Sequence, residues 1–364
     1  MERFYIDSPR SVSARIAAEL EIAPATSHLL VGGVGSGKTT ELLATQRRIA
    51  RIPDIAALYV DVTRRHDIAK MTPGAILAQV GLALADQLQH LGPSAQVQAA
   101  HHVAHGAWKQ SDQDYEGDQD AWEYVRRILV PPERVAADVH RARQVLDALL
   151  PRVRLKAPHV VVLLDGLDRI ADLPAFEQLV IQDVKALSSL GVGVVLVGPL
   201  RALYGLDRVL VQRFDSLQIQ PWIDVSRDAA GHDFLARVLT TRAGDAFDAP
   251  AIEPLVAGSG GVLRDLLSLA QSALVEAYMD GADRVGSHEV DDAVESFGRK
   301  HLQGLRPAEL EVLQRVRTHG SFVQTSEDDL ALLMTRRVLE YRTENQPRYA
   351  VHPTIEGLLQ ELSE

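Results

Sequence analysis

Apolar runs and apolar periodicities alternate along this chain and predict its elements. His28 to Val31 reads as a short buried strand. Thr40 to Ile52 reads as a helix whose apolar positions are Leu42, Leu43, Ile49 and Ile52. Ile55–Val62, Val160–Asp165 and Val192–Gly198 are near-continuous apolar runs, the pattern of strands covered on both faces, and Ser216–Gln220 is a fifth strand. Ser8–Ile22 reads as a helix, with Ser8 as cap, Pro9 in the first turn and Val12, Ile16, Ala17 and Leu20 as the stripe. Helical segments at Gly74–Leu91, Trp122–Leu129 and Glu133–Leu150 fall between the second and third strands, with an acidic polar patch, Ser111–Asp120, among them. That patch reads as a solvated loop, with a partner site as the other reading. The pattern predicts an α/β fold, a five-stranded and mostly parallel αβα sandwich over 1–223 with a helical insertion at about 64–158.

After residue 223 the periodicity becomes helical. Ala229–Thr240, Val262–Met279 and Ser287–Phe297 are the clearest amphipathic stretches of a small domain over 224–300, with Ser287 as a cap. Residues 301–364 change again. Arg306–His319, Ser326–Tyr341 and Pro353–Leu362 read as helices, and Arg342–Val351 reads as a hairpin with a polar tip. Helices followed by a two-stranded wing predict a winged helix. Thr335, Arg336 and Arg337 on its second helix, with Arg342 and Arg348 on the wing, are candidate phosphate contacts to DNA. Glu327, Asp328, Asp329, Glu340 and Glu344 lie in the same segment, so a protein partner is the competing reading.

Composition narrows the class. The 364 residues are 46% hydrophobic and 24% charged, which suits a globular protein of more than one domain. The absence of cysteine excludes disulfides and thiolate metal sites. A net charge of −11 argues against a protein that coats nucleic acid nonspecifically. Met1–Asp7 lacks a basic region followed by an apolar run, and no apolar stretch approaches a membrane span, so a cytoplasmic location without membrane contact is expected. His101, His102 and His105 have no ligand spaced to complete a metal site and read as surface histidines.

The chemistry centres on Gly32-Gly33-Val34-Gly35-Ser36-Gly37-Lys38-Thr39, which fits G-x-x-x-x-G-K-[ST]. A strand running into a glycine loop and a helix aims backbone N–H groups and the positive end of the helix dipole at one point, where a polyphosphate is favoured. Lys38 is placed to reach the β- and γ-phosphates, Thr39 to hold Mg²⁺, and Thr40 to extend the binding segment. Asp165, at the carboxyl end of a parallel strand, is the candidate for orienting the metal. Asp168 is the candidate for positioning or deprotonating the attacking water, the alternative being a turn residue that caps a helix. Phe4, Tyr5 and Ile6 precede the first helix and either cover an adenine base or pack in the core.

These motifs resemble those of the AAA+ and STAND ATPases, especially origin-initiator-type and NACHT-like switch proteins. Gly32 to Thr39 matches Walker A, and Val160 to Asp168 matches Walker B in the Asp-Gly-Leu-Asp form of STAND proteins. The resemblance implies ATP and Mg²⁺ as cofactors and ATPase activity. It implies that Arg213, in Arg213-Phe214-Asp215, is an arginine finger reaching a neighbouring subunit, hence a homo-oligomer. It also implies that Gly258–Leu267 is the lid segment, with Arg264 facing the nucleotide. Gly198-Pro199 stands where the family carries a polar residue, which points to a slow switch. The readings that remain are a switch whose tail binds DNA, a signalling or defence switch whose tail binds protein, and a nucleotide-binding scaffold with negligible hydrolysis.

Overall fold

A computed structural model of the chain describes residues 4–64, 68, 71–88, 139–204, 210–324, 327–343 and 346–361. The acidic patch, the Trp122–Leu129 segment, the three histidines at 101–105, Ser326 and Glu344 lie outside the described residues. These residues form two compact units. One comprises Val12–Val31 and Lys38–Ile219; the other comprises Met1–Ser11, Gly32–Gly37 and Gln220–Glu364.

The first unit is built on a sheet in the order β2-β3-β4-β1-β5. Its strands are β1 (Ser27–Gly32), β2 (Ile55–Asp61), β3 (His159–Asp165), β4 (Val192–Val197) and β5 (Ser216–Gln220). The β1–β4, β2–β3 and β3–β4 pairs are parallel. The expected strands are all present, with ends shifted by a residue at most. β4 lies between β1 and β3, so the glycine loop and Asp165 leave the same edge with one strand between them.

β3 and β4 are buried along nearly their whole length because both faces of the sheet are covered. On one face Ile16, Leu20, Leu42 and Ile49 from α1 (Ser13–Ile22) and α2 (Lys38–Ile49) close over Val161, Leu163 and Val195. On the other, α3 (Ala75–Leu88) and α4 (Val139–Arg154) supply Ile76, Val80, Leu84, Leu146 and Leu149 against Val160, Val162, Leu164 and Leu196. Phe176 of α5 (Leu173–Leu179) completes that face, and α6 (Lys185–Ser189) follows a π-turn at Val180–Val184. The first helix starts five residues later than its sequence pattern suggests. Ser8 caps a turn instead, its Oγ accepting the Arg10 N–H at 3.2 Å, because Pro9 favours a turn as readily as a helix start.

In the second unit four helices share one core. They are α7 (Ala229–Ala243), α8 (Ala249–Gly258), α9 (Leu263–Asp280) and α10 (Ser287–Leu302), packed through Phe234, Leu235, Leu255, Leu266, Leu269 and Val290. The cap of α10 is Gly286 rather than Ser287. The Glu289 carboxylate accepts the Gly286 N–H at 2.8 Å.

The tail folds as α11 (Pro307–His319), α12 (Glu327–Met334), an antiparallel hairpin of β6 (Val338–Thr343) and β7 (Gln346–Val351), and α13 (Pro353–Glu361). This is the expected winged-helix order, with one correction. The helix predicted over Ser326–Tyr341 stops at Met334, and Val338–Tyr341 is strand. Arg336 adopts φ +63°, a left-handed conformation that ends a helix. Thr335, Arg336 and Arg337 therefore lie in the turn, not on a recognition helix.

Candidate nucleotide site and the lid–wing seam

The glycine loop is shaped by its own sequence. Gly35 and Gly37 take φ values of +80° and +97°, a region that side chains avoid, and they turn the loop from β1 into α2. Gly32 and Gly33 have a different reason to be glycine. A Cβ on Gly32 would lie 2.3 Å from the Gln220 carbonyl oxygen, and one on Gly33 would lie 2.0 Å from the Trp222 ring. Trp222 also donates its indole N–H to the Val34 carbonyl at 3.1 Å. The fully buried Val262 and the Cβ of Arg264 close on Gly35, and the Arg264 N–H reaches the Gly35 carbonyl at 3.4 Å. Arg264 itself is exposed beside the loop. The Ser36 hydroxyl is buried without a hydrogen-bond partner, the condition of a group that an anion's oxygen would satisfy.

Lys38 opens α2 and is buried, with its ammonium 3.0 Å from the Asp168 carboxylate. Asp168 sits in a short turn, Leu167–Arg169, which Gly166 at φ +88° allows to fold back directly after β3. Asp165 is 6% exposed, and both of its oxygens are engaged. Oδ1 accepts the Gly166 N–H at 2.8 Å, and Oδ2 accepts the Tyr59 hydroxyl at 2.8 Å. Burial, then the bond to Asp165, pushes the Tyr59 phenol well above its ordinary pKa, so it remains a donor. Thr39 and Thr40 are exposed on the first turn of α2. The hydroxyl of Thr39 and the carboxylate of Asp165 are hard oxygen donors, the type Mg²⁺ prefers. The Lys38 ammonium, the Thr39 hydroxyl and the carboxylates of Asp165 and Asp168 are the donor types that suit a magnesium polyphosphate.

Arg213 ends a short turn, Val211–Arg213, and is exposed. β4 is followed by Gly198, whose N–H pairs with the Leu30 carbonyl, so the chain offers no polar side chain there. Ile6 packs against the helical core while Phe4 is 41% exposed. Sequence reasoning missed Tyr59, whose position before Asp61 on an apolar strand reads as core, and Trp222, which lies in no motif.

The wing arginines are all engaged within their own unit. Arg336 Nε is 2.7 Å from Asp265 of α9, and Arg348 Nε is 2.7 Å from Asp224 with its guanidinium over the Tyr341 ring. Arg337 donates to the His301 and Gln303 carbonyls, and Arg342 pairs with Glu340 at 2.6 Å. Tyr341 donates to the Gly260 carbonyl at 2.7 Å and bridges Trp222. The side chain of Asp265 is 1% exposed and His352 Nε2 lies 3.5 Å from it. His301 packs at a tilt against Phe297 and meets His352 edge-on, with centroids 4.9 Å apart.

Burial, reinforced by His352 and opposed by Asp265, pulls the His301 pKa down to about 4, with Arg336 and Arg337 acting in the same direction as His352. A lowered value means that the unfolded chain takes up the proton first. Stability is therefore full above about pH 6.5 and is lost as pH falls towards 4. His301→Gln, which cannot titrate, is expected to lose about 1–2 kcal/mol less than wild type over that interval, allowing for the partial exposure of the ring. Urea unfolding at several pH values measures this difference; equal losses would show that His301 does not carry the acid sensitivity.

No protein-family model matches the sequence, and no curated protein matches it. Among solved structures, the ORC1 protein of Aeropyrum pernix in complex with DNA aligns at a TM-score of 0.49 and 18% identity, over 98% of this chain and 93% of that one. Domain III of the Thermotoga maritima replication initiation protein DnaA aligns at 0.45 and 14%, over 81% and 95%. The Thermotoga maritima RuvB Holliday junction branch migration motor aligns at 0.44 and 14%, over 98% and 95%. These structures are AAA+ P-loop ATPases. Among the described residues no helix is long and apolar enough to cross a membrane, and no group of three or more metal-ligating side chains occurs.

Proposed function

We propose that this chain is an ATP-binding, slowly hydrolysing switch of the AAA+/STAND type, whose lid and winged helix respond to the nucleotide. The observation that carries this reading is the Lys38–Asp168 pair at 3.0 Å beside an Asp165 held by two hydrogen bonds. Backbone N–H groups of the loop would hold the phosphates, with Lys38 neutralising their outer end. Thr39 and Asp165 would hold Mg²⁺, which supplies charge neutralisation at the phosphates. A phosphate that takes Lys38 leaves Asp168 without its cation and free to accept a proton from water. Arg264, exposed beside Gly35, is a candidate anion contact, and exposed Arg213 is the candidate finger toward a second copy.

Asp168→Asn is expected to lower ATP turnover by about 100- to 1,000-fold, the range for loss of a general base, with ATP affinity within a few-fold of wild type. Steady-state phosphate release measures this. Equal rates in the two proteins would remove Asp168 from the chemistry, and no turnover in either would favour the scaffold reading. For the tail, the internal bonds of Arg336, Arg337, Arg342 and Arg348 favour a protein-facing or lid-holding role over DNA contact. A steep fall of DNA binding with salt would reverse that preference.

A further inference from the structure

Tyr59 has no place in the phosphate-binding motif, yet its hydroxyl lies on the carboxylate at the centre of the site. β2 and β3 pair in parallel register, Tyr59 beside Leu163 and Asp61 beside Asp165. Side chains alternate along a strand, so Tyr59, Asp61, Leu163 and Asp165 share the face covered by α1 and α2. Tyr59 packs against the Ile16–Leu42–Leu163 core on that face, which anchors its ring. From there its hydroxyl donates to Asp165 Oδ2 at 2.8 Å. Asp61 does not compete for that hydroxyl at hydrogen-bond distance. Its Oδ1 accepts both the N–H and the hydroxyl of Thr63, at 3.0 and 2.7 Å, and its Oδ2 pairs with Arg64 at 3.2 Å.

We propose that Tyr59 is a positioning residue for the metal-orienting carboxylate. With Gly166 N–H on Oδ1 and the phenol on Oδ2, the plane of Asp165 is fixed, and each oxygen keeps a further lone pair as acceptor. A carboxylate so held loses less rotational freedom when it takes a magnesium-bound water, so Mg²⁺ binds at lower concentration. The inference rests on the reading of this site as a Mg²⁺–nucleotide site.

The test is the Mg²⁺ dependence of ATP affinity, read by calorimetry or a fluorescent ATP analogue, with no turnover required. Tyr59→Phe removes only the hydroxyl. It is expected to raise the Mg²⁺ concentration for half-maximal tightening of ATP by about threefold to tenfold, the scale of one ordinary hydrogen bond. Affinity in EDTA and the melting temperature should stay as in wild type. In an Asp165→Asn background, Tyr59→Phe should shift the midpoint no further. A Tyr59→Phe midpoint equal to wild type, or a lowered melting temperature with the midpoint unmoved, overturns the positioning role while leaving the site's identity intact. A wild-type protein whose ATP affinity ignores Mg²⁺ overturns the reading of the site, and this role with it.

Discussion

Asp265→Ala is expected to destabilise the lid–wing unit by about 3–5 kcal/mol, the loss typical when one partner of a buried ion pair is removed. Asp265 lies in the first turn of α9, one residue after Arg264, with its side chain 1% exposed. Arg336 meets it from the turn after α12 at 2.7 Å, and His352 from the end of β7 at 3.5 Å. Burial works to raise the Asp265 pKa, but the bond with His352 and the charge of Arg336 outweigh it and hold the carboxyl below its ordinary value. A lowered carboxylate pKa stabilises above the unfolded value near 3.8 and loses that contribution as pH falls through the folded one. Truncation to alanine leaves a largely buried guanidinium, on a residue already at positive φ, with no carboxylate. Denaturant unfolding of Asp265→Ala against wild type at pH 7 measures the loss. A change below about 1 kcal/mol would show that the seam is held by its apolar contacts alone.

Much of the α/β core can be read from sequence because its signals are local. Continuous apolar runs such as Val160–Leu164 specify buried parallel strands, and the loop from Gly32 to Thr39 carries its chemistry in consecutive residues. The motif order leaves open which strand lies beside β1, and it is the structure that places β4 between β1 and β3. The tail was less legible. Val338–Tyr341 continues a helical pattern from Leu330 and Leu333, and only the left-handed turn at Arg336 stops the helix. Which arginines remain for a partner is also a tertiary matter. Arg336 and Arg348 read as phosphate contacts until Asp265 and Asp224, distant in sequence, are seen to take them. Tyr59 and Trp222 were illegible for the same reason, since their roles depend on register and on a crossing of chain segments. Gly33 shows the limit from the other side. The motif leaves position 33 open, and in this fold it is the Trp222 ring that excludes a side chain there.

The second large effect concerns Lys38, whose ammonium in the proposed reading meets an outer phosphate. Lys38→Ala is expected to weaken ATP by about 100-fold, since charge-assisted bonds to phosphate oxygens contribute the most here and each tenfold is about 1.4 kcal/mol. The fold should tolerate the change better than the site. α2 keeps Leu42, Ala44 and Ile49 in the core, and alanine is a strong helix former. Asp168 would lose its 3.0 Å partner but is itself partly exposed and can be solvated.

Equilibrium titration of wild-type protein and Lys38→Ala with MgATP, with folding of both checked by circular dichroism, therefore addresses the account at its base. Saturable binding by the wild type and about 100-fold weaker binding by the folded variant is the predicted result. Equal affinity in the two proteins, or no binding by the wild type, would contradict it.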